Sequence, residues 1–287
     1  SSSAGFYGDG YELVDSINKE EFAKIYQDYG LQESIEKDDT SLSYLYRARK
    51  DFWILMLDSN SHGTNEISDQ TFSWVEEILK DAKEQDIQVL AVSHQNLLAH
   101  NPYFTEGFLI HQVQELEALY EKYAVMANLS GHIHIQHIED RGLPEILTSA
   151  LPVSPHHYGI LEFDGKTLDY QAKILDVASW AREQGLTDQN LLDFSQSSRS
   201  FMEQVAARKL ESELLDSQLT DLEREILLQT FAQINADYFA GRQIDPANHQ
   251  QGLSLMQETG LSFYLTYIDS ILKSAEKGHE SFQLELE

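Results

Sequence analysis

The chain contains no cysteine, which excludes disulfides, thiolate metal sites and thiol nucleophiles together and leaves the compartment open. Basic residues are also scarce: 20 Lys and Arg face 48 Asp and Glu, a formal charge of −28. So acidic a chain repels nucleic-acid phosphates rather than releasing their counterions, so no nucleic-acid polymer is expected as a partner. It also repels anionic lipid surfaces. A phosphate-bearing substrate would need a local cation, such as a metal, to overcome that field. No apolar run reaches the roughly 18 residues of a membrane span, so none is expected. Ser1 to Gly5 has neither the basic nor the apolar region of a signal peptide and reads as an arbitrary cut or a disordered lead-in. Absent too are a glycine-rich phosphate loop, a Gly-x-Ser-x-Gly elbow and a basic surface interleaved with aromatics, which removes the common nucleotide-fold and serine-hydrolase readings. What is present is 287 residues, 41% hydrophobic and 24% charged, enough for a sizeable core in one large or two medium domains.

Residues 1–20 read as an irregular loop. Asn18 and Glu21 then form a capping-box pair ahead of Phe22, Ile25, Tyr26 and Tyr29 at helical spacing, with Gly30 as the stop. Ser41 to Tyr46 alternates as a half-buried strand does. Phe52 to Leu57 and Ile87 to Val92 are continuous apolar runs, the mark of strands buried on both faces. Between them Asp69 to Lys83 is an amphipathic helix. A helix over Gln112–Tyr123, a strand near Val125–Leu129 and short strands at 135–139, 145–149, 159–163 and 167–170 complete an α/β layered pattern: a β-sheet with flanking helices. Near Ile174 the periodicity becomes purely helical. The division expected is therefore 1–174 for a catalytic domain and 175–287 for an all-helical accessory domain. In the latter, Thr220 and Glu223 make a capping box, Asp245-Pro246 breaks the chain, and one long helix runs from Leu253 to Leu272. Phe263, Tyr264 and Tyr267 on that helix are expected to pack against the first domain. Glu211, Glu213 and Asp216 form a solvated face.

Three histidines stand at strand ends, where open α/β sheets collect ligands. His94 follows the second buried strand, and His132 and His134 follow the third. Two apart on an extended segment they point to one side, and Gly131 lets the backbone turn before them. Neutral imidazole is a common ligand for zinc, iron, manganese and nickel. Alone, His94 reads as structural; strand–His-x-Asn followed by strand–Ser-Gly-His-x-His reads as a metal site. His156 and His157 read either as substrate contacts beside that site or as a turn with solvated rings. His100 and Asn101 could border the cleft, and Tyr44 reads as core.

Ser130-Gly131-His132-Ile133-His134 resembles the Gly-His-x-His motif of the calcineurin-like metallophosphoesterases, and Val92-Ser93-His94-Gln95-Asn96 resembles the histidine motif before it. The strands at 41–44 and 53–58 and the run Thr148 to His156 extend the likeness to bacterial members of the cyclic-nucleotide-phosphodiesterase type, which carry a helical C-terminal domain. The resemblance implies the C-terminal part of that family's sandwich fold, two divalent ions (Mn, Fe or Zn), His94 and His132 on one ion and His134 on the other, and a small phosphoester substrate. Its function would be hydrolysis of small or cyclic nucleotides by a metal-activated hydroxide. The family's earlier motifs, Asp-x-His, Gly-Asp-x-x-Asp and Gly-Asn-His, do not occur. Gly8-Asp9 is followed by Glu12 instead of Asp, and Asp58 and His62 are four apart. The expectation is a chain that begins after the third motif, inactive by itself, with no general acid to name. The alternative is a catalytically inactive binding or scaffold relative whose helical domain holds partners. Exported relatives point to an extracytoplasmic location, with the cytoplasm as the alternative; oligomeric state stays open.

Overall fold

The computed structural model describes residues 2–7, 10–214 and 217–286; Gly8, Asp9 and Asp216 lie outside the described residues. The elements in chain order begin with β1 (Ser2–Tyr7), β2 (Gly10–Asp15), α1 (Lys19–Ile25), β3 (Ser34–Lys37), β4 (Tyr44–Arg49), β5 (Phe52–Met56), α2 (Asp69–Glu84), β6 (Gln88–Val92), α3 (Val113–Lys122) and β7 (Asn128–Ser130). There follow β8 (His137–Asp140), β9 (Pro144–Leu147), β10 (His157–Phe163), β11 (Thr167–Ile174), α4 (Val177–Glu183), α5 (Gln189–Leu192), α6 (Phe194–Glu211), α7 (Asp221–Phe239), α8 (Gln250–Thr259), α9 (Ser262–Ser274) and β12 (Ser281–Glu285).

The fold is mixed α/β. A seven-stranded sheet runs in the order β3-β4-β5-β6-β7-β9-β8, and β10-β11-β12 form a three-stranded sheet. Strands β5, β6, β7 and β9 are parallel. Alternation along the apolar runs decides which layer each residue faces. Trp53, Leu55, Val89 and Ala91 pack with Val75, Ile78, Leu116 and Tyr120 of α2 and α3. Phe52 and Leu90 point the other way, against Leu168, Leu161 and Leu284 of the small sheet. Burial on both faces is thus why these strands read as unbroken apolar runs.

Helices α6 to α9 share a core in which Leu210, Leu227, Phe231, Ile234 and Ile268 meet Ile133, Ile135 and Leu147 from the sheet side. No helix of the described residues is long and apolar enough to cross a membrane. Three expectations need correction. Within residues 1–20, β1 and β2 pair antiparallel, with too few apolar residues for a period-of-two signal. The long final helix is two helices, because Gly260 takes φ +68 and ends α8. The C-terminal region is not helix throughout, because β12 pairs antiparallel with β11 and feeds alternate Phe282 and Leu284 into the sheet cores.

Candidate functional site

The C-terminal ends of β5, β6 and β7 deliver three turns to one edge of the sheet. After β6, His94 begins the turn. Gly131, after β7, donates its N–H to the His94 carbonyl at 3.1 Å, and Asn96 Nδ2 donates to Ser130 Oγ at 3.0 Å and to the Gly131 carbonyl at 3.1 Å. These bonds bring the imidazoles together: His94 Nε2 and His132 Nδ1 are 3.0 Å apart, with ring centroids at 4.8 Å. His132 Nε2–H donates to the Gly107 carbonyl at 3.2 Å, so in the neutral ring Nδ1 is the acceptor and His94 Nε2–H the donor. The segment is not extended as the His-x-His spacing suggested. His132 and His134 are both left-handed, at φ 67 and 64. That conformation is uncommon for a side-chain-bearing residue and costs about 1–3 kcal/mol where the surroundings enforce it. His134 is exposed, yet close enough that it, with His132, holds the His94 pKa below the ordinary histidine value; partial burial is the larger cause.

A cavity of about 470 Å³ opens beside His94, walled by Phe22, Tyr26, Tyr29, Tyr44 and Met56, with Asp58, Ser59, Asn60 and Ser93 on its polar side. Tyr44, expected as core, is half-buried and lines it. Asp58 is the carboxylate of that lining, and it is committed elsewhere: it pairs with Lys19 at 3.0 Å and accepts the N–H of Leu42 at 3.2 Å.

A pair of divalent ions needs negative charge between them. Three neutral imidazoles carry no charge to offset ion–ion repulsion. Among the described residues no group of three or more His, Cys, Asp or Glu converges as a metal cage. The residues present therefore do not fit a two-ion centre.

His156 and His157 take other roles. His156 is left-handed at φ 66, donates Nδ1–H to the Leu151 carbonyl at 2.6 Å, accepts from Ser198 of α6 and lies 4.6 Å from the Phe194 ring. His157 is 1% exposed with both ring nitrogens unpartnered, and burial, with Arg242 and His156 behind it, pushes its pKa down to about 4. Neither ring is solvated, and no hydrogen bond or ring contact among the described residues joins them to the His94–His132 pair. His100 and Asn101 are buried against α9. The residue that the motif reading missed is Glu145, whose carboxylate accepts from the Leu97 and Leu98 N–H groups of the His94 turn. Asn96 and Ser130 stood inside the histidine motifs, and the structure gives them the task of binding the turns together. Glu145 had no local signal, since it lies outside every motif.

Residues 176–278 match the family model described as the C-terminal domain of cyclic nucleotide phosphodiesterase. No curated protein matches the chain. A solved dimetal phosphatase from Danio rerio is similar at 12% identity and TM-score 0.46, covering 55% of this chain and 65% of its own. The Plasmodium protein GAP50, the anchor in the inner membrane complex, is similar at 12% identity and TM-score 0.37, over 52% of this chain and 57% of its own. The chain thus spans less than two thirds of either protein.

Proposed function

We propose that the chain belongs to a metal-dependent phosphoesterase related to the calcineurin-like group, acting on small nucleotides as phosphodiesters. The observation that carries the reading is the His94–His132 pair, 3.0 Å apart at the ends of parallel strands, with His132 on left-handed backbone. The match of residues 176–278 to a phosphodiesterase C-terminal domain supports it. On this reading residues 1–174 form the catalytic unit and 175–287 the accessory one. His94 and His132 are the imidazoles offered to a single ion, with His134 the exposed third imidazole beside them, and the aromatic-walled cavity receives the nucleoside part of the substrate. His156 and His157 are assigned a supporting place near that unit rather than contact with the phosphate.

The chain by itself is expected to be weakly active or inactive, since its imidazoles lack carboxylate company. That same lack favours a second reading, a binding relative without catalysis. The test is metal content and hydrolysis of an aryl phosphodiester by the purified chain and by H132A. One transition-metal ion bound weakly, near-background hydrolysis, and loss of ion binding in H132A are the expected results. Binding and hydrolysis unchanged in both His94→Ala and H132A would sink the phosphoesterase reading at this site.

A further inference from the structure

Beneath the His94 turn lies a carboxylate with no exposure at all, Glu145 of β9. A buried carboxylate is tolerable only if donors converge on it, and here they do. The Leu97 N–H donates to Oε1 at 2.9 Å and the Leu98 N–H to Oε2. Asn128 Nδ2 donates to Oε1 at 2.7 Å while also reaching Ser93 Oγ at 3.2 Å, and His100 Nε2–H donates to Oε2 at 3.2 Å. Ser93 and Leu97 bracket His94, so Glu145 holds one arm of the turn directly and the other through Asn128.

The grip continues into the helical region. Because a carboxylate only accepts, His100 in its neutral form has its proton on Nε2, and its Nδ1 accepts from His137 Nδ1–H at 2.9 Å. His137 Nε2 then accepts from Ser274 Oγ–H, at the end of α9, at 2.6 Å. His279 stacks on His137 with centroids 3.8 Å apart and donates Nε2–H to the Ser274 carbonyl at 2.9 Å. Every donor points one way, from Ser274 through His137 and His100 to Glu145. Nearby, Asn101 Nδ2 donates to Ser270 Oγ at 3.1 Å, and Tyr103 bonds Thr266, both on α9.

We infer that Glu145 is a positioning residue for the His94–His132 pair, and that α9 sets the geometry of that pair through the Ser274–His137–His100–Glu145 chain. The inference gives the helical region a task in the site. It rests on the proposed function only in treating the pair as the working centre. Glu145→Gln keeps the shape but turns an amide NH2 toward two or three N–H donors, so the 93–98 turn must move. Ser274→Ala removes the first donor at the far end and leaves α9's apolar packing intact. Thr220→Ala is the control: it loses the α7 cap without touching the chain.

The test reads imidazole 15N shifts of His94 and His132, affinity for Zn2+ alone, and thermal unfolding. E145Q and S274A should shift the 15N signals of both rings and weaken Zn2+ about 10–100-fold, the range for residues that orient a ligand. T220A should unfold earlier with those signals and that affinity unchanged. Should E145Q fail to fold, S274A decides alone. Folded S274A with unaltered His94 and His132 signals overturns the inference, as does T220A moving them equally. Phosphodiester hydrolysis is not among the readouts, so an absent activity would count against the proposed function and leave this inference standing.

Discussion

A histidine kept neutral inside a folded chain links stability to pH, and this chain keeps several. His137 is pushed down to about 2, by burial first and then by His279, His100 and Lys277. His157 lies at about 4, and His279 is lowered mainly by burial. Unfolded histidine titrates near 6.5. Below that pH the unfolded chain binds protons that the folded chain refuses, so the contribution is fully present above about pH 6.5 and is lost as the pH falls toward the folded values. Each such group contributes a slope of about 1.4 kcal/mol per pH unit. Scanning calorimetry should therefore show Tm falling by several degrees between pH 7 and 5. His137→Gln should lower Tm at pH 7 and flatten its pH dependence. A Tm indifferent to pH over that interval would contradict the linkage.

At the level of elements, helix packing is set by close approaches that only small residues permit. A Cβ at Gly252 of α8 would lie 2.1 Å from Thr230 Oγ1 and 2.4 Å from Thr230 Cβ on α7. Gly252→Ala gains about 1 kcal/mol of helix propensity. Overpacking costs about 1–3 kcal/mol, and more where the neighbour is rigid. With the cost at the upper end, about 2–3 kcal/mol, because the contact includes Thr230 Cβ, the expected net effect in urea unfolding is a loss of about 1–2 kcal/mol. Thr230→Ala in the same chain recovers only part of it, because the Cβ stays. The buried strands β5 and β6, helix α2 and the capping boxes at Asn18 and Thr220 were legible because each is written in contiguous residues. The break at Gly260 was not, since apolar spacing carries across it from Met256 to Tyr264. His94 and His132 stood out from motif spacing; in the fold their rings lie 3.0 Å apart, with His132 left-handed rather than extended. Glu145 was illegible: its meaning comes from Leu97, Leu98, Asn128 and His100, which only the folded sheet brings to it.

For the whole molecule, β12 decides how the helical region is held. Leu168 and Tyr170 of β11 are almost wholly buried, and Phe282 and Leu284 of β12 pair against them. Deleting residues 281–287 uncovers that surface and removes three half-buried apolar side chains, Phe282, Leu284 and Leu286, a loss of about 2–4 kcal/mol at roughly 1.5–3 kcal/mol per full burial. The urea midpoint should fall accordingly. An unchanged midpoint would mean that the helices are held by α9 and the sheet side alone.

The same strand fixes an order of events at the ribosome. Adjacent strands β11 and β12 are separated in the chain by every helix from α4 to α9. At about 5–20 residues per second, synthesis leaves β11 without its neighbour for several seconds or more. During that interval the nascent chain presents an open strand edge, the kind that recruits foreign strands. The charges of Asp169 and Lys173 along β11 are then its guard against mispairing, until the last seam of the sheet is made.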